Sequence, residues 1–224
     1  MTEVAEKRKV PAEEEPSSFR LIITLGVIGF FSGVILVSSF LYTRPIIEQH
    51  RAEALRAAIY EVLPGTSRFE TLELRDGQLV KVEATEETQA ANEAAPQIYA
   101  GYNDSNELTG FAISSEEAGY QDLIVGIFGY DPQKEQVVGF KVLESKETPG
   151  LGDKIMKDED FQANFHSLAV DPQIVVVPNG EKTQDNQVEA ITGATISSKA
   201  VAGLVEKGLA EWRPLIEEYL KTKS

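Results

Sequence analysis

Cysteine is absent from the 224-residue sequence. Its absence excludes disulfides, thiolate-ligated iron–sulfur clusters and the usual covalent haem attachment. Histidine is scarce: His50 and His166 are the only two, far apart along the chain. That argues against a histidine-rich metal site and leaves open a carboxylate site for a hard cation. If this chain carries electrons, its cofactor is therefore organic. Positive charge is also short, with 21 Lys and Arg against 36 Asp and Glu, a net charge of −15 and a pI near 4.6. Such a surface repels nucleic acid and anionic headgroups, so nucleic-acid binding is set aside. The charge names no partner by itself, and its plain meaning is a well-solvated face. No Gly-x-Gly-x-x-Gly run follows a strand-like segment, which removes the usual nicotinamide-dinucleotide site.

What is present begins with one long apolar run. Leu21 to Tyr42, 22 residues, carries no charge. At helical rise that length crosses a hydrocarbon core of roughly 30 Å. Arg20 and Arg44 flank it, where long side chains reach headgroups. A cleaved signal peptide would have a shorter apolar core and a small-residue cleavage site, and "LYTRPIIEQ" offers no such site. The expectation is an uncleaved single-pass anchor. Lys7, Arg8, Lys9 and Arg20 precede the span, and Arg44, Arg51 and Arg56 follow it. This slight basic excess favours a cytoplasmic N-terminus and an extracytoplasmic domain; on a cell's inner (plasma) membrane that side is the periplasm. The expected layout is residues 1–20 as a cytoplasmic tail, 21–42 as the span, 43–66 as a juxtamembrane helix and 67–224 as the main domain. The stretch "PAEEEPSS" in the tail reads as disordered.

The remaining chain, 42% hydrophobic overall, suffices for one folded domain. Ile47, Leu55, Ile59, Val62 and Leu63 suit one helix face, ended by Pro64-Gly65. The period then changes to two. "FETLELRDGQLVKVEA" alternates around Asp76-Gly77, a hairpin signal. "EATEETQAANEAAP" reads as a loop or short helix. "LTGFAISS", "YQDLIVGIFGYD" and "QVVGFKVLES" read as three strands, the last two joined by the turn "DPQKE". Gly126, Gly129 and Gly139 inside them predict bulges or close backbone approach. "KDEDFQANF" reads as a short helix and "QIVVVP" as a buried strand. Val201, Leu204, Val205, Leu209 and Trp212 predict a final helix that Pro214 kinks or breaks. The expected class is α+β, an antiparallel sheet with packed helices.

Two stretches carry chemistry. "EAITGATISSKAV" crowds Thr192, Thr195, Ser197 and Ser198 around Gly193 and Ala194 at the start of that helix. A helix N-terminus gathers unpaired N–H groups and the positive end of the dipole, which suits phosphate. Gly193 admits a phosphate closely, Ala194 keeps bulk away, and a hydroxyl can donate to phosphate or be esterified by it. Plain capping by Ser197 or Ser198 explains the motif equally well. "SKETPGLGDKI" places Thr148, Pro149, Gly150, Leu151 and Gly152 directly after a strand, a tight turn with exposed N–H groups against which a planar ring can lie. An ordinary loop is the alternative.

Together the "ETPGLG" and "TGAT" stretches, in this order, resemble the FMN-binding domain of RnfG, the G component of Rnf electron-transport complexes. The C component of the sodium-pumping NADH:quinone oxidoreductase shares that domain. Gly119-Tyr120 also looks like the start of a family strand, and the likeness runs from residue 21 to about 213. "GLGDKI" and the short chain lean towards the Rnf branch. The resemblance implies FMN held covalently by a phosphoester bond to Thr195, the last threonine of "TGAT", with a flavin transferase making the bond from FAD. Thr192, Gly193, Ala194 and Ser197, and Thr148, Gly150, Leu151 and Gly152, are then the candidate cofactor-binding residues. The resemblance further implies a membrane-anchored electron-transfer subunit, with other membrane subunits of the complex as partners. No independent catalytic residue and no metal ligand is expected. Three alternatives stand beside it: the quinone-reductase component with the same flavin chemistry, a sensory or maturation domain on the same fold, and a membrane-anchored scaffold without cofactor.

Overall fold

The computed structural model describes residues 18–82 and 96–223. Residues 1–17 of the expected tail and most of the polar segment "EATEETQAANEAAP" lie outside those residues, and residues 18–20 belong to the first helix. The chain divides into two units, Met1–Arg51 and Ala52–Ser224.

Within the first unit the described residues form one element. Helix α1, Ser18–Val62, starts here and runs through Pro45 into the second unit. It contains an apolar window of mean hydropathy 2.5, none of it buried within the protein, so by length and composition it can cross a membrane. Phe30, Leu36 and Tyr42 are among its many exposed large apolar side chains. Thr24 and Thr43 return their hydroxyls to the carbonyls of Arg20 and Ser39, four residues back. Each hydroxyl is thereby satisfied within the helix itself, as a membrane interior would require.

The second unit is built on a seven-stranded antiparallel sheet in the order β2-β1-β3-β4-β5-β6-β7. Its strands are β1 Arg68–Arg75, β2 Gln78–Val82, β3 Gln97–Tyr102, β4 Leu108–Ala118, β5 Leu123–Asp131, β6 Gln136–Glu144 and β7 Leu168–Ala169. Asp76 and Gly77, both at positive φ, make the tight turn of the β1–β2 hairpin, and Arg75 pairs with Gln78 across it. In the β5–β6 turn, Asp131 Oδ1 accepts the N–H groups of Gln133 and Lys134.

Each sheet face has its own cover. On one, Phe111, Phe128 and Tyr130 meet Val201, Leu204, Val205 and Trp212 of helix α3, Thr195–Lys223. On the other, the end of α1 buries Ala58, Ile59, Val62 and Leu63 against Tyr99, Ala112 and Ile127. The second contact depends on glycine. A Cβ on Gly129 would stand 2.0 Å from the Val62 carbonyl oxygen, and one on Gly139 2.7 Å from it. The predicted close approaches are therefore to the helix from the membrane segment, and the register shifts at Gly126 and after Gly129 are the predicted bulges.

Between β6 and α3 lies a smaller lobe. It holds a 3-10 turn Gly152–Met156, helix α2 Glu159–Ala163 capped by Asp158, and the parallel pair β8 Val175–Val177 with β9 Gln187–Glu189. One expectation changes here. "QIVVVP" is a strand, yet only the edge of a two-stranded ribbon, with Val175 38% exposed. An apolar run suggests burial on both faces, but two strands cannot supply two covered faces. Of the kink or break expected at Pro214, the break does not occur, and α3 continues to Lys223. Leu209 and Trp212 before it and Ile216 after it are all buried, so packing holds the helix across the missing N–H.

Candidate functional site

Residues 191 to 194 turn sharply before α3. The Ala194 N–H donates to the Ile191 carbonyl at 2.9 Å, and Gly193 sits at φ +84°, a conformation glycine adopts without strain. Thr192, Gly193 and Thr195 are exposed, whereas Ala194, Ser197 and Ser198 are buried. Thr195 opens α3, and its hydroxyl makes no hydrogen bond among the described residues.

Neither serine caps the helix. Ser198 Oγ accepts the Ile191 N–H at 3.0 Å and donates to the Ala194 carbonyl at 3.0 Å, pinning the turn from inside. Ser197 Oγ donates to Glu147 Oε2 at 2.6 Å. The hydroxyl crowd therefore divides its work. Ser198 binds the turn internally, Ser197 ties it to Glu147, and Thr192 and Thr195 lie at the surface.

The second stretch stands beside the first. Leu151 and Asp153 donate their N–H groups to the Thr148 carbonyl at 3.1 and 3.3 Å, and Gly150 donates to Asp153 Oδ1 at 2.6 Å. Contrary to expectation, the N–H groups of Gly150, Leu151 and Asp153 are spent inside the turn. What the turn presents outward is the Leu151 side chain, 51% exposed. Leu151 Cδ2 would lie 3.9 Å from a Cβ on Gly193, so the two turns adjoin. Thr148 is half-buried, and Gly152 is buried.

Glu147 joins these pieces, and sequence reasoning does not single it out. Its carboxylate is buried, 6% exposed. Oε1 accepts the N–H groups of Tyr120 at 2.8 Å and Gln121 at 3.0 Å. Burial by itself would raise its pKa. The hydrogen bonds from Ser197 and from the backbone of Gln121, Tyr120 and Asp122 outweigh burial and hold it below the usual carboxylate value. Its signal in the sequence is its place as the first residue of the "ETPGLG" stretch, between a strand end and the turn, where a charged residue is ordinarily read as solvated.

Three segments thus converge. Tyr120, Leu151 and Ile196, at 68%, 51% and 54% exposure, bring apolar surface beside a free hydroxyl at a helix start. That arrangement fits a ligand with a phosphoryl end and a planar apolar end. Among the described residues, no group of three or more His, Cys, Asp or Glu side chains is placed to hold a metal ion. A cavity of about 340 Å³, lined by Asp158, Phe161, Asn164, Lys182, Glu189 and Ile191 among others, includes neither Thr195 nor the Thr148–Gly152 turn. The convergent surface, with the free hydroxyl, is the better candidate.

Residues 119–210, from Gly119 through Glu147 and Thr195 into α3, match the FMN-binding domain family. The G component of the ion-translocating oxidoreductase complex of Methanosarcina acetivorans is 30% identical over 182 residues, covering 81% of this chain and 87% of that protein. The G component of the Na(+)-translocating ferredoxin:NAD(+) oxidoreductase complex of Acetobacterium woodii is 28% identical over 201 residues, covering 88% and 92%. This chain belongs to the family of G components of ion-translocating oxidoreductase complexes, the RnfG family. Among solved structures, NqrC of Shewanella oneidensis superposes with a TM-score of 0.59 at 16% identity, covering 75% of this chain and 96% of that one. The C component of the Na(+)-translocating NADH-quinone reductase of Parabacteroides distasonis gives 0.55 at 20% identity, covering 75% and 94%. At these identities the likeness is one of fold.

Proposed function

We propose that this chain is the membrane-anchored electron-transfer subunit of an ion-translocating, Rnf-type complex, and that it carries FMN on Thr195. Membership of the RnfG family and the match to the FMN-binding domain support the electron-carrying role and the partnership with other subunits of the complex. Helix α1 supports membrane anchoring. When bound, FMN supplies exchange of electrons singly or in pairs. The chain's own residues hold it: Thr195 by the phosphate, the neighbouring turns by the ring and its linker. The charge asymmetry around residues 21–42 supports a domain outside the cytoplasm.

The observation that carries the attachment is the Thr195 hydroxyl. It is exposed, uncommitted among the described residues and located at a helix start beside a positive-φ glycine. Attachment is a group transfer from FAD by a flavin transferase. The Thr195 Oγ–P bond forms, the P–O–P bond of FAD breaks, AMP leaves and the hydroxyl proton is lost. The adduct is FMN less one water.

The test is Thr195→Val in the full chain, co-expressed with a flavin transferase. Wild type should show the added mass and a fluorescent band on a denaturing gel. The valine variant should fold without either. Retention of the added mass by the valine variant would assign attachment to another residue.

A further inference from the structure

The geometry points to Glu147 as the positioning residue of the attachment site: its carboxylate locks Ser197 inward and thereby presents Thr195 outward. This rests on Thr195 being the attached residue.

A carboxylate removed from water is costly unless its oxygens are fully engaged. Glu147 forms no ion pair among the described residues. Its neighbour Lys146 instead pairs with Asp122 at 2.6 Å. The charge is met by hydrogen-bond donors, with the Tyr120 and Gln121 N–H groups on one oxygen and the Ser197 hydroxyl on the other. Room for it is made by two glycines. A Cβ on Gly119 would stand 2.5 Å from Oε1, and one on Gly152 2.4 Å from Oε2 and 3.0 Å from Ser197 Oγ. The carboxylate thus touches three segments, the corner at Gly119, the Thr148–Gly152 turn and the first turn of α3.

Helix geometry converts this contact into orientation. Successive residues on an α-helix are turned by about 100°, so residues two apart face nearly opposite ways. Ser197 drawn into the interior leaves Thr195 on the outer side, next to Gly193 and Leu151. Freed from Glu147, the first turn of α3 loses its tie to the loop that carries Leu151.

The test uses the full chain in detergent, prepared without flavin transferase for amide hydrogen exchange and with it for intact mass. The variants are Ser197→Ala, Ser197→Thr and Glu147→Gln. Ser197→Ala removes only one hydroxyl and is the variant expected to fold in any case. It should speed exchange about tenfold or more, jointly in residues 145–157 and 189–201, and lower the flavinylated fraction. Loss of a hydrogen bond to a charged group is of that size. Ser197→Thr keeps the hydroxyl and should restore both readouts towards wild type. Glu147→Gln should behave like Ser197→Ala or more severely. Unchanged exchange at 189–201 in Ser197→Ala overturns the proposal, and so does lost flavin with unchanged exchange, which would give Ser197 a direct role towards flavin or transferase. Thr195→Val separates this outcome from failure of the attachment reading, because it removes flavin without touching Glu147.

Discussion

Leu151 and Gly193 meet across the two turns: among the described residues, Leu151 Cδ2 is the one atom that a Cβ on Gly193 would meet within 4 Å. The half-exposed leucine is thereby placed beside the Thr195 helix start. We expect the isoalloxazine ring to lie against Leu151 while Thr195 holds the phosphate, because FMN is long and its two ends need separate supports. Leu151→Asp should leave attachment intact and lower the flavin midpoint potential, since a carboxylate penalises an added negative charge nearby. Solvent at a half-exposed position screens the effect. A shift of about 30 mV, tenfold in a two-electron equilibrium, is thus an upper expectation. Leu151→Met keeps the contact and should change little. Spectroelectrochemistry on both variants decides, and an unchanged potential in the aspartate variant places the turn away from the ring.

How far this site is readable from sequence differs by residue. Strands β4 to β6 and the Asp76-Gly77 hairpin follow from alternation and turn chemistry, which are local. Strand β3 escapes because "QIYAGY" has no polar alternation. It lies between β1 and β4, with Ile98 and Ala100 in one core cluster and Tyr99 in the other. Glu147 escapes because its donors are 26, 27 and 50 residues away in sequence. No spacing rule reaches that far, and only the fold shows why a charge sits there. The turn N–H groups are misjudged for a different, local reason: their acceptors, Thr148 O and Asp153 Oδ1, lie within five residues and are set by the turn's own closure.

The glycines should separate by sign. Gly129→Ala drives a Cβ to 2.0 Å from a backbone oxygen that cannot swing away, so β5 or the end of α1 must shift. We expect a loss of about 1–3 kcal/mol or more. Gly203→Ala in α3 meets only Glu117 Cγ at 3.6 Å, an ordinary contact. It removes a helix-interior glycine and should gain up to about 1 kcal/mol. At roughly 2–4 °C per kcal/mol for a domain of this size, thermal unfolding resolves both. Shifts of the same sign would contradict this packing account.

Topology is open to direct labelling, because the chain has no cysteine to give background. Asp104 lies in an exposed turn between β3 and β4. Asp104→Cys should react with an impermeant thiol reagent in intact cells or spheroplasts if the domain is outside. Labelling that appears only after lysis reverses the orientation.

Glu147 should also leave a signature in pH. Its folded pKa lies below the ordinary value, so the folded state takes up the proton less readily than the unfolded chain. The stability it contributes is complete above the unfolded carboxyl pKa, about 4.3, and is lost as pH falls through the lower, folded value. Charged groups on the segments around Glu147 include Asp122, paired with Lys146, and Asp153, paired with Lys157, at 2.6 Å in each case. Their titration is common to wild type and Glu147→Gln and cancels in the difference between them. The glutamine variant should therefore unfold at a lower temperature than wild type near neutral pH. Its deficit should shrink as the pH falls below the unfolded carboxyl value, because the unfolded wild-type chain takes up there a proton that the folded state resists. The measurement is thermal unfolding of the flavin-free full chain in detergent from about pH 5 down towards about pH 3. Two curves that stay parallel down to about pH 3 would mean that the carboxylate's charge is not what ties Ser197 to the Tyr120 corner.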